Sequence, residues 1–375
     1  MDNYRWLTGL TIALTGFSAL SPAPSPPNGV AIVRRLLAAE DSAVITGNRP
    51  ALDALFVSPA GPAAENAWRR SLYFTQWAKQ RGLQFDDLTV TAIYPQVVRA
   101  GTNAMYVNAA VGERFQYHYR NQSGPPTVFG IGVYHRLLVR EIAGVWKIES
   151  DDCFPPAGWQ AIPGGRLSPR SLPAAPLLAA QDRALAYANR YCGAAAGCGN
   201  HGRYNPLYPS YNQAGGDCTA FISQILRAAG FAETERWHYD TRTRRGTAAW
   251  TTAGALTGFL VDSGRVSLIA RGNWEQVVQA TAEYPQGALA LLRPGDLITD
   301  FRRGSMQHSA MVVGFDRRGY PLVNAHFSDR FRVPWDINWD NRTTFYLWRV
   351  HYGLADEKRS PSGSGFSTDF KKRPS

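Results

Sequence analysis

Residues 215–230 read Gly-Gly-Asp-Cys-Thr-Ala-Phe-Ile-Ser-Gln-Ile-Leu-Arg-Ala-Ala-Gly, and this stretch decides the fold of the second half of the chain. Asp217 suits a helix N-cap, and Gly230 suits the position that ends a helix. The apolar residues between them recur at helical spacing and form one stripe. The sequence therefore predicts a buried amphipathic helix that begins at Cys218, with the thiol on its inward face.

A cysteine at the start of a helix is a candidate nucleophile. The positive end of the helix dipole and the free backbone N–H groups stabilise a thiolate and can lower the pKa of the thiol. The same N–H groups can line an oxyanion hole. The alternative is that Cys218 is a small buried residue of a core helix. A catalytic role therefore requires a base elsewhere in the chain.

A candidate base lies on a predicted strand further along the chain. Residues 307–315 predict a strand with His308 near its start, and a turn then leads into a return strand over residues 320–326. Asn324 and His326 share a face of that return strand, so either can orient the imidazole of His308, and we prefer His326. Thiol, base and orienting group are the three roles that covalent acyl transfer requires.

Several motifs of the second half are shared with a known bacterial family. They are residues 186–191, residues 204–208, residues 216–219 with Phe221, Ser223 and Gln224, then Trp237, Trp250, Gly295 with Asp296, His308 with Ser309, and His326 with Asp329. On these motifs the second half resembles the Putative amidase domain family, a branch of the papain-like group that includes NlpC-like and CHAP cell-wall peptidases. The motif around Cys218 is the most specific part of the resemblance.

The resemblance implies a fold and a substrate class. It implies a central helix with Cys218, packed on an antiparallel sheet that carries His308 and the orienting residue, and it implies amide bonds of peptidoglycan stem peptides as substrates. In the papain pattern an amide side chain shortly before the nucleophile completes the oxyanion hole, which makes Asn212 and Gln213 candidates; each is otherwise a polar loop residue. The chain departs from the family at Ala220, where Asn is expected.

Three further residues are candidates for the substrate side of the site. Trp237 and Trp250 can line a cleft for peptide or sugar, and their alternative is a place in the apolar core. Asp217 is predicted mainly as the helix cap; as an anion beside Cys218 it would raise the pKa of the thiol.

The other cysteines leave several alternatives open. Cys192 and Cys198 lie close together in a Gly-Ala loop, with His201 shortly after them. In an exported protein they can form a local disulfide; free thiols and a zinc site are the alternatives. Cys153 is left over and can pair with another cysteine instead. The sequence predicts no metal site and no cofactor.

The first half of the chain predicts a smaller unit. Helical spacing is followed by several segments rich in β-branched and aromatic residues, which indicates two or three helices and then an antiparallel meander. This order resembles cystatin-like or nuclear-transport-factor-like accessory domains of exported bacterial proteins. His118 and His135 lie in predicted strands, where a histidine is usually a surface or hydrogen-bonded residue, so we assign no site to this unit.

The chain is therefore predicted to be an α+β protein of five segments. These are a signal-like or anchor segment (1–28), an accessory α+β domain (29–152), a proline-rich linker (153–180), a papain-like amidase domain (181–354) and a disordered polar tail (355–375). The apolar run after Arg5 is typical of a secretory signal, which favours a secreted or envelope-associated protein. We expect contact with a membrane only through this segment, if it is retained.

The composition limits the classes of partner that we expect for this protein. The net charge of +11 favours anionic partners such as wall polymers, and no basic run with interleaved aromatics indicates nucleic-acid binding. We therefore expect an exported cysteine amidase that acts on peptidoglycan or peptide substrates. Ala220 motivates a first alternative, a degenerate papain-like module that binds cell wall or a partner. A second alternative is an acyltransferase or transglutaminase with the same Cys-His pair.

Overall fold

A computed structural model of the protein describes residues 29–99, 101–154, 176–212, 217–337, 339 and 342–357. The predicted signal-like segment, most of the predicted linker, Gln213 and the tail beyond residue 357 lie outside these residues. In the part of the chain that the structure describes, no helix is long and apolar enough to cross a membrane.

Helices and strands follow each other in both halves of the chain. The helices are α1 (Gly29–Thr46), α2 (Arg49–Asp53), α3 (Pro62–Arg81), α4 (Ala179–Arg190), α5 (Cys218–Ala229), α6 (Ala248–Thr251), α7 (Ala253–Asp262), α8 (Trp274–Val278) and α9 (Gly353–Glu357). The strands are β1 (Leu83–Arg99), β2 (Ala104–Tyr119), β3 (Thr127–Ile142), β4 (Val145–Phe154), β5 (Tyr239–Asp240), β6 (Arg245–Gly246), β7 (Val266–Gly272), β8 (Leu297–Arg302), β9 (Ser305–Phe315), β10 (Pro321–Ala325), β11 (Asp329–Pro334) and β12 (Thr344–Val350).

The first half consists of helices followed by long antiparallel strands, as predicted. Residues 105–107 and 115–119, whose β-branched and aromatic composition predicts two separate strands, are parts of the single strand β2. The residues between them stay extended because they pair with β1 on one side and β3 on the other. The dipeptide Ala143-Gly144 predicts a hairpin turn, and the structure confirms it between β3 and β4: the two residues have φ values of 50° and 78°, the left-handed conformation of a tight hairpin.

One antiparallel sheet runs through both halves of the chain. Its strand order is β1-β2-β3-β11-β10-β9-β8-β12-β7, and β4 also pairs with β3. The two halves meet where residues 130–132 of β3 pair with residues 329–331 of β11. The α+β class is confirmed. The strands of the first half belong to the same sheet as those of the second half, because β3 pairs with β11.

The sheet packs helices on both faces. On one side, Met311 and Val313 of β9 share an apolar cluster with α4, α5 and α7; we call this side the α5 face. On the other, Ala310 and Val312 of the same strand share a cluster with α3 and α8; we call it the α3 face. Alternate residues of β9 therefore face two different cores.

A buried carboxylate joins the two halves on the α3 face. Asp336 has no solvent exposure and accepts hydrogen bonds from the indole N–H groups of Trp77 and Trp274 at 3.0 and 2.9 Å. The guanidinium of Arg81 in α3 donates to it from Nε at 2.8 Å. Since a buried charge is stable only when it is paired and hydrogen-bonded, the Asp336 carboxylate requires these partners from α3 and α8.

The cysteines divide into one bonded pair and two free residues. Cys192 and Cys198 form the local disulfide, so this alternative is confirmed over free thiols and zinc. Cys153 and Cys218 are free thiols.

Candidate active site

Helix α5 places Cys218 against the sheet. Its residues Phe221 and Ile225 are fully buried in the same apolar cluster as Met311 of β9. The helix ends at Gly230, whose φ of 109° is a left-handed conformation that glycine adopts without strain. The predicted helix is confirmed, and its packing leaves Cys218 only 6% exposed.

Burial dominates the chemistry of the thiol. The Cys218 sulfur lies 3.8 Å from the hydroxyl of Thr219 and accepts a hydrogen bond from the backbone N–H of Ser309. Burial nevertheless raises the pKa of the thiol to about 11, and the two hydrogen bonds offset this only in part. The sequence predicted that the helix start can lower this pKa; the shift has the opposite direction, because burial takes the thiolate out of water.

Asp217 binds a histidine instead of capping the helix. It occupies the N-cap position, but its side chain accepts no capping hydrogen bond from α5. One carboxylate oxygen lies 2.7 Å from Nδ1 of His326, and the other accepts the backbone N–H of Tyr211 at 3.2 Å. The prediction of a cap is therefore wrong.

His326 is enclosed on both ring faces and at both nitrogens. Its ring stacks between Phe221 and Tyr204, with centroids 3.8 and 4.0 Å away, and has no solvent exposure. Nδ1 faces Asp217, and Nε2 lies 2.6 Å from the carbonyl oxygen of Tyr191. A carbonyl oxygen can only accept a hydrogen bond, so Nε2 donates to Tyr191 in this arrangement.

The side chain of His308 lies on the α3 face of the sheet. With Asp300 and Trp339 it lines a small cavity. Ala310 lines the same cavity and belongs to the apolar cluster of the α3 face. Its Nε2 is buried with no hydrogen-bond partner. Burial lowers the pKa of this imidazole well below its usual value, and the cations of Arg330 and Arg302 add to that effect. The structure does not bring together Cys218 and His308, which the sequence predicted to act as a pair.

Comparison with known proteins identifies the part of the chain that carries this site. Residues 179–348 match the family model described as Putative amidase domain. The predicted family relationship is confirmed, and it indicates amide-bond hydrolysis as the activity. No curated protein sequence matches the chain.

Three solved structures resemble part of the chain at low similarity. The intermembrane space region of chloroplast protein ARC6 has 17% identity and a TM-score of 0.27, and the match covers 35% of this chain and 98% of that one. A putative calcium/calmodulin-dependent kinase II association domain from Exiguobacterium sibiricum has 14% identity and a TM-score of 0.22 over 36% and 95% of the two chains. The corresponding domain from Xanthomonas campestris has 15% identity and a TM-score of 0.22 over 37% and 96%. Scores this low carry no argument about fold or function.

Asn324 ties elements of the amidase domain together. Its amide donates to the carbonyl of Ala188 at 3.0 Å and to the side chain of Asn189 at 2.9 Å, and its oxygen accepts the backbone N–H of Arg332 at 2.7 Å. Neither Asn324 nor His326 hydrogen-bonds to His308. Both predicted orienting roles are therefore wrong for His308, because it projects from the other face of the sheet.

The residues predicted to bind substrate lie in different parts of the structure. The Asn212 amide donates to the hydroxyl of Tyr204 at 2.8 Å. The alternative candidate, Gln213, lies outside the described residues. Trp237 and Trp250 have no solvent exposure, and their rings pack at a tilt of 30° with centroids 5.3 Å apart. They belong to the apolar core, which was the alternative to a place in a cleft.

Sequence reasoning gave no role to several residues that complete the site. Asp329 accepts a hydrogen bond from the Tyr204 hydroxyl at 2.6 Å, and Tyr134 of β3 donates to the same carboxylate at 3.1 Å. Asp329 and Tyr204 occur in the motifs shared with the family, which was the available signal. Tyr134 has no such signal because it comes from the other half of the chain. Among the described residues, no group of three or more His, Cys, Asp or Glu side chains is arranged to hold a metal ion.

Proposed function

We propose that the protein is a cysteine-dependent amide hydrolase in which Cys218 is the nucleophile and His326, held by Asp217, transfers the proton. The observation that supports this assignment is the start of α5. There Asp217 and Cys218 are consecutive residues, and the ring bonded to Asp217 is that of His326. One turn of helix thus carries both the nucleophile and the anchor of the base, inside the amidase domain.

The reaction begins with a neutral thiol, since burial holds the pKa of Cys218 near 11. In the reactive state the His326 ring is neutral, with its one proton on Nδ1 toward Asp217, and Nε2 has left the Tyr191 carbonyl and faces the thiol with a free lone pair. Nε2 then takes the proton of the thiol while the sulfur bonds to the amide carbon. The carboxylate of Asp217 stabilises the protonated ring through Nδ1. It then gives the proton to the leaving amine as the C–N bond breaks, and water hydrolyses the thioester to acid and free thiol.

Backbone donors surround the position where negative charge develops. The N–H of Ser309 already donates toward the Cys218 sulfur. The first N–H groups of a helix have no partner within the helix, so those at the start of α5 can receive the oxygen of a tetrahedral intermediate. In the proposed reaction these donors stabilise the oxyanion.

The proposed substrates are amide bonds in the stem peptides of peptidoglycan, cleaved outside the cytoplasm. The net charge of +11 supports an anionic polymer as partner. The apolar run after Arg5 supports export. The resemblance to cell-wall peptidases supports the choice of a peptide amide.

The test is digestion of purified muropeptides by the full-length protein, with the fragment masses read by mass spectrometry. We expect hydrolysis of one amide bond, its loss in Cys218→Ala, and its retention in Cys153→Ala, which removes the other free thiol as a matched control. Full turnover in Cys218→Ala would refute the mechanism. Products that carry an added amine in place of water would identify an acyltransferase.

The choice of base is tested by a second pair of variants. We expect His326→Gln to lose at least about a hundredfold in kcat, the usual scale of general acid–base catalysis, while His308→Gln changes it by less than about threefold. The opposite ranking would return the role of base to His308 and would require β9 to rearrange during turnover.

The raised pKa and burial of Cys218 favour a second candidate, a binding module that retains the amidase fold without its chemistry. Alkylation by iodoacetamide separates the two. In a working hydrolase, saturating substrate protects Cys218 from a measurable alkylation, and His326→Gln slows that alkylation. A binding module leaves Cys218 unreactive at pH 7 with or without muropeptides, while still retaining them in a pull-down assay.

A further inference from the structure

A tyrosine from the first half of the chain reaches the candidate site. Tyr134 lies on β3, and its hydroxyl donates to one carboxylate oxygen of Asp329 at 3.1 Å. The same hydroxyl lies 3.3 Å from that of Tyr204. Burial raises the pKa of Tyr134, so the phenol stays protonated and remains a donor at neutral pH. The two halves of the chain are thus linked by hydrogen bonds at the edge of the site.

Asp329 accepts hydrogen bonds from three separate segments of the chain. Besides Tyr134, it accepts the hydroxyl of Tyr204 at 2.6 Å and the backbone N–H of Ala194 at 2.7 Å. The carboxylate has no solvent exposure. Because buried carboxylates require such partners, the loss of one donor changes how the remaining two are held.

Tyr204 connects Asp329 to the proposed base, His326. Its ring lies 4.0 Å from the ring of His326 and forms one wall of the imidazole slot. Its hydroxyl is held by Asp329 and also accepts the Asn212 amide at 2.8 Å. The position of the phenol therefore sets the position of the ring plane against which His326 stacks.

The disulfide loop reaches His326 from the opposite side. Tyr191, whose carbonyl lies 2.6 Å from Nε2 of His326, directly precedes Cys192. The loop rests on strand β3 at a glycine: a Cβ atom at Gly130 would lie 1.9 Å from the carbonyl oxygen of Ala196. The first half of the chain therefore contacts both elements that enclose the imidazole.

We propose that Tyr134 is a positioning residue of the amidase site, acting through Asp329 and Tyr204 on His326, so that the site is complete only when the first half of the chain is docked. The inference rests on the proposed function for its effect on turnover. Its geometric content, the placement of the His326 ring, can be tested without any substrate.

The kinetic test compares Tyr134→Phe with Tyr106→Phe in the full-length protein. Tyr106 lies on the neighbouring strand β2 and is 44% exposed, so its variant controls for a tyrosine hydroxyl lost from the same half. We expect Tyr134→Phe to lower kcat about tenfold, the effect of one buried hydrogen bond, with KM changed by less than twofold. Tyr106→Phe should match the wild type in both constants. Unchanged kcat in Tyr134→Phe would overturn the inference.

The structural test follows the imidazole N–H protons of His326 by NMR, with the signals assigned from their absence in His326→Gln. We expect them to exchange slowly with water in the wild type and in Tyr106→Phe, and at least about tenfold faster in Tyr134→Phe. Equal exchange in all three proteins would overturn the inference whether or not the protein hydrolyses amides. Turnover that survives Cys218→Ala, together with faster exchange in Tyr134→Phe, would refute the proposed function and leave the positioning role standing.

Discussion

Replacement of Asp217 by Asn tests the candidate site where its hydrogen bonding is most constrained. The two carboxylate oxygens serve two buried donors, Nδ1 of His326 at 2.7 Å and the backbone N–H of Tyr211 at 3.2 Å. Asn offers one oxygen and one NH2 group, so in either orientation one donor faces another donor. An unsatisfied buried donor costs about 1–3 kcal/mol, and the lost charge assistance places the expected cost at about 2–3 kcal/mol.

That cost has two measurable consequences. If the substitution destabilises only the transition state, kcat drops by about 30-fold to about 150-fold. If it destabilises the folded protein, the free energy of unfolding drops by about 2–3 kcal/mol. Hydrolysis of a muropeptide and urea unfolding measure the two. Asp262→Asn is the matched control. The side chain of Asp262 is 57% exposed and that of its ion-pair partner Arg236 is 63% exposed, so loss of the pair should change kcat and the free energy of unfolding little. Wild-type kcat together with wild-type stability in Asp217→Asn would refute the reasoning.

Three further predictions concern stability. Burial raises the pKa of Glu40 from 4.5 to about 7, so the stability tied to its proton, about 3 kcal/mol, is complete below pH 4.5 and is lost as the pH rises through 7. Glu40→Gln should flatten this decline in urea unfolding between pH 5 and pH 8, and an unchanged slope would contradict the assignment. Gly130→Ala should lower the unfolding temperature by several degrees, because its Cβ would lie 1.9 Å from the backbone oxygen of Ala196; an unchanged temperature would show that the loop moves freely. Cys198→Ala removes the disulfide with Cys192 and should cost about 2 kcal/mol, a loss that disappears when both proteins are compared in reductant.

Local patterns in the sequence were sufficient for the elements that carry the site. Helical spacing between Asp217 and Gly230 predicted α5 with Cys218 at its start, and the structure contains that helix. The turn chemistry of residues 316–319 predicted the hairpin between β9 and β10, and the two strands pair as expected. These features depend on contacts between residues close in sequence, so spacing and residue type contain the information needed to predict them.

The sequence by itself determined that His308 shares a face of β9 with Ala310, and that Cys218 begins a helix with an apolar stripe. Only the tertiary structure decided that this face of β9 turns away from α5, that Asp217 binds His326, and that Tyr134 reaches the site. The physical reason is that the two-residue period of a strand tells which side chains lie together but not which core they enter. That choice is made when α5 packs on the sheet and when β3 pairs with β11, and both events join residues far apart in the chain.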